Sequence, residues 1–296
     1  MKSGFVAILG RPNVGKSTLL NHILKEKMSI VTNKSQTTRN AIKGIYTDEE
    51  VQIVFIDTPG IHKPFQKLGE EMNKMAYHTS HDVDAIILVV DASEPFGKGD
   101  QYLIDHLALN KVPLIIVFNK IDLVRIDKAM KLKAIYLEKF PNAFMIETVA
   151  TEGFNVEEIV GQLKSILPEG PMYYEKETIT DQDLVFQIKE IIREKILISL
   201  SKEVPHSIAI YIDDITYEEN PMTIKASIIV EKESQKGIVI GANGRRIKTI
   251  GSKARQSIEK LVKKHVFLDL VVKVDENWRD TESSLNKYGY KTKKEE

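Results

Sequence analysis

The sequence predicts an α/β domain, with a mostly parallel sheet and helices on both faces, followed by a smaller α+β domain. Three observations predict it. The chain has 296 residues, more than one hydrophobic core usually serves. From Phe5 to Leu167 short apolar runs alternate with helical patterns, and strand–helix alternation builds a parallel sheet whose two faces must both be covered. After Pro168 to Thr178, a stretch with two prolines, a glycine and no apolar period, the order of elements changes.

The first part reads as strands at Phe5–Leu9, Val51–Ile56, Ala85–Val90, Leu114–Phe118 and Phe144–Thr148. These are short unbroken apolar runs, as strands buried on both faces require. Between them, helical periodicity places helices at Lys16–Leu24, Leu68–Ser80, Asp100–Leu109, Asp127–Lys139 and Val156–Leu167. The second part reads as helix Asp183–Ile198, strands Ser207–Ile215 and Thr223–Glu231, helix Arg245–Lys264 and strand Phe267–Val274. Expected boundaries are residues 1–170 for the first domain, 171–180 for the linker, 181–280 for the second domain and 281–296 for a frayed, lysine-rich tail.

Composition narrows the function. The hydrophobic share is 42% and the charged share 28%, the balance of an ordinary soluble protein, and no apolar run approaches the length of a membrane span. The start reads as a strand opening a domain, which predicts a cytoplasmic protein. There is no cysteine, which excludes disulfides, thiolate metal sites and cysteine nucleophiles. Net charge is zero, yet Lys236 to Lys264 holds nine basic side chains against Glu259 alone, a local charge of +8. A basic segment inside a neutral protein points to a polyanionic partner for that segment.

The chemistry begins at Gly10-Arg11-Pro12-Asn13-Val14-Gly15-Lys16-Ser17, followed by Thr18. This is GxxxxGK[ST] set between a strand and a helix, the context in which it cradles phosphates. The glycines let backbone N–H groups face the phosphates and the helix start adds a positive dipole end. Lys16 reaches the terminal phosphates and Ser17 ligates Mg²⁺. Asp57-Thr58-Pro59-Gly60 follows the next strand. Its carboxylate suits the surroundings of Mg²⁺, and the Gly60 N–H suits a γ-phosphate. Asn119-Lys120-Ile121-Asp122 follows a third strand. An aspartate there accepts the N1–H and N2–H₂ of guanine; adenine offers no such donor pair, so ATP is rejected by several powers of ten. The expected substrate is GTP.

In the polar segment Gln36 to Asn40, Thr38, in preference to Thr37, is expected to complete the Mg²⁺ shell when γ-phosphate is present. The loop at Thr148-Val149-Ala150 is expected to cover the base, with the Ala150 N–H on guanine O6. Where a glutamine would orient the attacking water, the chain has Ile61, which polarises nothing. Asn13 and Ile61 together suggest that K⁺, held by an Asn13 carbonyl, supplies the positive charge needed between the phosphates. The expected catalytic set is therefore Lys16, Thr38, Gly60 and Asn13.

In the second part, Gly241-Ala242-Asn243-Gly244 leads into Arg245, Arg246, Ile247 and Lys248. A GxxG loop entering a basic helix brings a sugar–phosphate backbone close to the main chain, as in KH domains. Arg245, Arg246 and Lys248 are placed for phosphates. A basic helix could instead meet anionic lipid. Trp278 is expected as a packing cover rather than a stacking platform for a base.

The chain resembles the Era-like family of bacterial GTPases. The resemblance is carried by GRPNVGKSTLLN at Gly10–Asn21, QTTR at Gln36–Arg39, DTPGIH at Asp57–His62 and NKID at Asn119–Asp122. It continues through EVPHS at Glu203–Ser207, GANGRRIKTIG at Gly241–Gly251 and VKVDENWRD at Val272–Asp280, and so covers nearly the whole chain. It implies a P-loop GTPase domain followed by a type II KH domain, with Mg²⁺ as cofactor. It implies GTP and GDP, the single-stranded 3′ end of 16S rRNA and the 30S subunit as partners, and a role in maturing that subunit. A monomer with occasional peripheral contact to the cytoplasmic face of the membrane is the corresponding expectation. The chain departs from the family pattern at Val149, where a serine is usual, and at Ala242 and Asn243, where a second basic residue or glycine often stands.

Overall fold

The computed structural model describes residues 1–32, 37–61, 64, 66–200 and 204–290. The chain divides into two compact units, one of residues 1–65 and 69–181 and one of residues 66–68 and 182–296.

In the first unit β1 (Lys2–Gly10) leads into α1 (Lys16–Leu24), followed by β2 (Ile42–Thr47), β3 (Val51–Asp57), α2 (Lys67–His81), β4 (Ala85–Asp91) and α3 (Lys98–Leu107). Then come β5 (Leu114–Asn119), α4 (Ile126–Lys139), β6 (Phe144–Thr148) and α5 (Val156–Ile166). The six strands lie in the order β2-β3-β1-β4-β5-β6. All neighbours are parallel except the β2–β3 pair. The central strand β1 shows why the sheet is buried on both faces: Val6, Ala7, Ile8 and Leu9 are all completely buried. Val6 and Ile8 belong to one apolar cluster and Ala7 and Leu9 to another, one on each side of the sheet. Strand β2 escapes a sequence reading because its KGIYT composition is neither continuously apolar nor cleanly alternating; pairing with β3 decides it.

The stretch read as a linker is bound to the first unit. The side chain of Gln52, fully buried on β3, accepts from the Tyr173 and Tyr174 N–H groups at 2.7 and 3.0 Å and donates to the Tyr174 carbonyl at 2.9 Å. Further on, the Ile45 N–H of β2 donates to the Ile179 carbonyl at 2.7 Å. Thr180 Oγ1 donates to the Lys43 carbonyl at 2.8 Å. These bonds cover part of an otherwise open sheet edge.

The second unit consists of α6 (Leu184–Ser199), β7 (Ala209–Thr216), β8 (Met222–Val230), α7 (Glu233–Ile240), α8 (Arg245–Val262), β9 (Val266–Val274) and α9 (Glu282–Tyr288). Its sheet runs β7-β8-β9, with β8 and β9 parallel. Asp183 caps α6 by accepting the Phe186 N–H at 2.6 Å, which satisfies one of the orphan donors of the first turn. On β9, residues 266, 268, 270, 272 and 274 turn toward the helices while 267, 269, 271 and 273 are exposed, the period of two expected of a half-buried strand.

Two expectations change here. Helix α7 precedes the glycine loop where no helix was expected; its first turn closes through the Gln235 and Lys236 N–H groups, which donate to the Lys232 carbonyl. The expected tail from residue 281 is partly folded: α9 buries Leu285 and Tyr288, and Tyr290 lies beyond it at 5% exposure. The Trp278 ring packs edge-on to Tyr288 and stacks on Tyr290. Lysine content masked these apolar anchors.

Candidate nucleotide and nucleic-acid sites

The first motif turns tightly between β1 and α1. Asn13 takes φ 64° and Gly15 φ 106°, left-handed values that glycine adopts without strain and asparagine tolerates. A Cβ on Gly15 would stand 2.2 Å from Asn119 Nδ2, so the loop needs glycine there for space as well as for φ. Lys16 donates to the Gly10 and Arg11 carbonyls at 3.1 and 2.9 Å. It is buried, and burial lowers its pKa from 10.5 to about 8, against the opposing attraction of Asp57.

Ser17, Thr38 and Asp57 converge. Ser17 Oγ lies 2.6 Å from Asp57 Oδ2 and 2.9 Å from Thr38 Oγ1. Asp57 is fully buried, its Oδ1 has no hydrogen-bond partner, and burial raises its pKa. Two hydroxyls and an orphaned carboxylate oxygen form an all-oxygen donor set that fits a hard divalent cation such as Mg²⁺. Thr37 points elsewhere, to Thr32 Oγ1 at 2.8 Å, so the geometry favours Thr38 over Thr37. Gln36 and His62 lie outside the described residues.

Thr58 anchors the second motif, its Oγ1 donating to the Ile8 carbonyl at 2.8 Å. Gly60 packs on the phosphate loop so closely that a Cβ would stand 2.7 Å from both Pro12 Cα and N. Ile61 is buried at 1% exposure in an apolar cluster, so it orients no water.

The third motif sits at the end of β5 and ties the loops together. Asn119 Nδ2 donates to the Val14 carbonyl at 2.8 Å. Its Oδ1 accepts the Ala150 N–H at 2.9 Å and Thr148 Oγ1 at 3.3 Å. This corrects the expectation for Ala150: its N–H is engaged by Asn119 and the residue is buried at 1% exposure, because a buried N–H needs a partner. Val149 and Thr151 are the residues of that loop that line the cavity. Lys120, at φ 64°, donates to the Asn13 carbonyl at 2.9 Å and to Asp91 Oδ2 at 2.5 Å. The Asn13 main-chain oxygen thus links the phosphate loop to the third motif. Asp122 is exposed on a short 3₁₀ turn, Ile121–Leu123. The motifs meet around a cavity of about 490 Å³ lined by Asn13, Lys16, Thr38, Gly60 and Asp122, a size that suits a nucleotide. Asp91 was missed by the sequence reading; its place at the C-terminal end of an apolar run was the available signal.

In the second unit, Gly241 (φ 73°), Asn243 (φ 50°) and Gly244 (φ 72°) form a left-handed turn into α8. A Cβ on Gly241 would meet Arg246 Cβ at 2.7 Å. Arg245 and Lys248 are exposed at the start of α8, whereas Arg246 also donates to the Ile238 carbonyl. Between α8 and β9 runs a groove of about 870 Å³, with an apolar floor of Ile247, Leu268 and Leu270 and with Lys248 and Arg255 on its rim. Trp278 is completely buried and its indole N–H donates to the Ser207 carbonyl at 2.9 Å; it packs and stacks on no base.

Residues 5–120 match the family model described as 50S ribosome-binding GTPase, and residues 203–279 match the KH domain model. A crystal structure of an Era variant from Aquifex aeolicus, bound to GDP and aluminium fluoride, is 38% identical over 99% of this chain and 100% of its own, with a TM-score of 0.94. The chain belongs to the Era family of GTPases. A structure of Era in complex with MgGDPNP and nucleotides 1506–1542 of 16S ribosomal RNA is similar to the same extent: 37% identity, 99% and 100% coverage, TM-score 0.94. Like these Era proteins, the chain joins a P-loop GTPase domain to a C-terminal KH domain.

Proposed function

We propose that this Era-family GTPase couples its nucleotide state to binding of the single-stranded 3′ end of 16S rRNA, in the service of 30S subunit maturation. The observation that carries this reading is the joining, in one chain, of a guanine nucleotide site to a GxxG loop that enters the basic helix α8, which borders a groove with an apolar floor. The Era structure holding both a GTP analogue and 16S rRNA supports it.

In this mechanism the N–H groups of the phosphate loop and Lys16 bind the terminal phosphates. Asp122 accepts the two guanine donors, and Asn119 and Lys120 keep the loops in register. Ser17, Thr38 and Asp57 hold Mg²⁺, with the phosphates and water completing its shell. Held by these residues, Mg²⁺ would supply positive charge against that developing on the phosphates during transfer. The Gly60 N–H faces the γ-phosphate and Thr38 closes over it. With Ile61 buried and unable to orient water, this reading has K⁺, held by an Asn13 carbonyl, supply positive charge near the phosphates.

On the second unit, Gly241 to Gly244 let an RNA backbone approach the main chain, Arg245 and Lys248 meet phosphates, and bases lie on the apolar floor. The exposed lysines of α8 support a weaker contact with anionic lipid, which vesicle co-sedimentation tests. No helix among the described residues is long and apolar enough to cross a membrane. A cytoplasmic monomer completes the proposal, with mass by light scattering as its check.

The decisive experiment is steady-state GTP hydrolysis in K⁺ and in Na⁺, with and without an RNA copying the 16S 3′ end. Stimulation by RNA that disappears in the Gly241→Asp, Gly244→Asp double variant supports coupling through the groove. RNA binding without any change in turnover refutes the coupling, and equal turnover in K⁺ and Na⁺ refutes the cation role.

A further inference from the structure

Outside the residues already assigned, one nearly buried charged group reaches the phosphate loop. Asp100, on the first turn of α3, is 5% exposed. A carboxylate withdrawn from water needs compensation, and Asp100 has three donors. Its Oδ2 accepts Arg11 Nη1 at 2.8 Å and the Gly97 N–H at 3.0 Å; its Oδ1 accepts the buried Tyr136 hydroxyl at 3.2 Å. Tyr136 is in turn packed edge-on against Phe118, 5.6 Å between centroids, and Phe96, 6.0 Å. Phe118 immediately precedes Asn119. The carboxylate is therefore fixed by the apolar core beneath β5, and it holds a side chain of the phosphate loop.

What it holds is specific. Arg11 is the residue before Pro12, and Pro12 is the surface on which Gly60 packs. The Arg11 carbonyl is also one of the two acceptors of Lys16 Nζ. The guanidinium stem lies over Gly99, where an added Cβ would be 3.2 Å from Arg11 Nε and 3.3 Å from Cδ. Asn119 and Lys120 tie the loop at Val14 and Asn13; Asp100 ties it on the other side of Pro12.

We propose that Asp100 is a positioning residue that, through Arg11, sets the height of Pro12 and hence how closely Gly60 and Lys16 approach the γ-phosphate. This rests on the reading that the first unit binds GTP. Because the base is held by Asp122 of the third motif and the β-phosphate by loop N–H groups beyond Pro12, the Asp100–Arg11 pair acts mainly on GTP and leaves GDP largely untouched. Such selectivity separates positioning from mere support of the fold, which would lower the affinity for both nucleotides together.

The test uses the full chain and the variants Asp100→Asn, Arg11→Gln and the double variant, each assayed for GDP affinity, affinity for a non-hydrolysable GTP analogue, kcat and thermal midpoint. We expect Asp100→Asn to lower kcat and analogue affinity about tenfold, equivalent to about 1.4 kcal/mol each, with GDP affinity changed less than about twofold. Arg11→Gln should behave alike, and the double variant should be no worse than either single one. Asp100→Glu should recover part of the loss. Should Asp100→Asn fail to fold, Gly99→Ala leaves every partner in place while displacing the guanidinium, and should shift analogue over GDP affinity in the same direction by a smaller factor. Equal losses for GDP and analogue, additive single effects, or wild-type kinetics in Asp100→Asn would overturn the positioning role. A wild-type protein that neither binds GDP nor hydrolyses GTP would overturn the underlying functional reading instead.

Discussion

Replacing Asn119 with alanine tests whether this residue of the guanine motif acts by holding loops together rather than by touching the base. Its carboxamide makes three hydrogen bonds, to the Val14 carbonyl, the Ala150 N–H and the Thr148 hydroxyl. Asn119→Ala strands the first two inside the protein, at residues only 3% and 1% exposed. A buried backbone group left without a partner costs about 1–3 kcal/mol, so the two together predict a loss of about 2–6 kcal/mol. For a unit of residues 1–65 and 69–181, about 2–4 °C of midpoint per kcal/mol turns this into a fall of about 4–24 °C. The assay is differential scanning calorimetry of the nucleotide-free protein, the first unit's transition being the one that added GDP shifts. Nucleotide affinity should fall as well, because Val14 and Ala150 lose their common anchor. An unchanged nucleotide-free midpoint with lost GDP affinity would refute the reasoning, since the side chain would then be acting on the base alone.

Asp122→Asn should reduce GTP affinity by at least about a hundredfold and favour xanthosine triphosphate, because the amide N–H₂ faces a purine carbonyl where the carboxylate met donors; competition binding with both nucleotides reads this. Lys16 gives a pH dependence of definite sign. Its pKa in the nucleotide-free fold is about 8 against an ordinary 10.5, so the unfolded chain holds the extra proton between those values and Lys16 makes stability rise with pH across that window. Phosphate oxygens favour the ammonium, so above about pH 8 nucleotide binding should take up a proton and weaken as pH rises. Calorimetric titration in two buffers of different ionisation enthalpy measures that uptake, and Lys16→Met should abolish it. Gly60→Ala should lower kcat while preserving GDP affinity, since its Cβ would meet the Pro12 backbone at 2.7 Å; a kcat equal to wild type speaks against a close approach of Gly60. Trp278→Phe should lower the stability of the second unit by about 1–3 kcal/mol by orphaning the Ser207 carbonyl and leave RNA affinity unchanged once the protein is folded.

The amino-acid sequence by itself determined the order of elements in the first unit, the phosphate, magnesium and guanine motifs, and the GxxG loop with its basic helix. These are legible because each depends on local physics. An unbroken apolar run such as Ile86 to Val90 can only be buried on both faces, GxxxxGK[ST] encodes a backbone conformation in adjacent residues, and a charge of +8 between Lys236 and Lys264 needs no partner to be counted. What depends on distant residues was decided by the tertiary structure alone. Strand β2 exists by pairing with β3. The Ala150 N–H turns to Asn119 because that carbonyl oxygen is buried within reach, although 31 positions separate them. Helix α9 is held by contacts of Tyr288 with Trp278 and Tyr211, of which its short, mostly polar sequence gave no local sign. Asp100 looks like any acidic residue in a first helical turn until the fold sets it 2.8 Å from Arg11, 89 positions away. Spacing along the chain carries motif chemistry, whereas the partners that hold those motifs in place are chosen by burial, which only the folded chain defines.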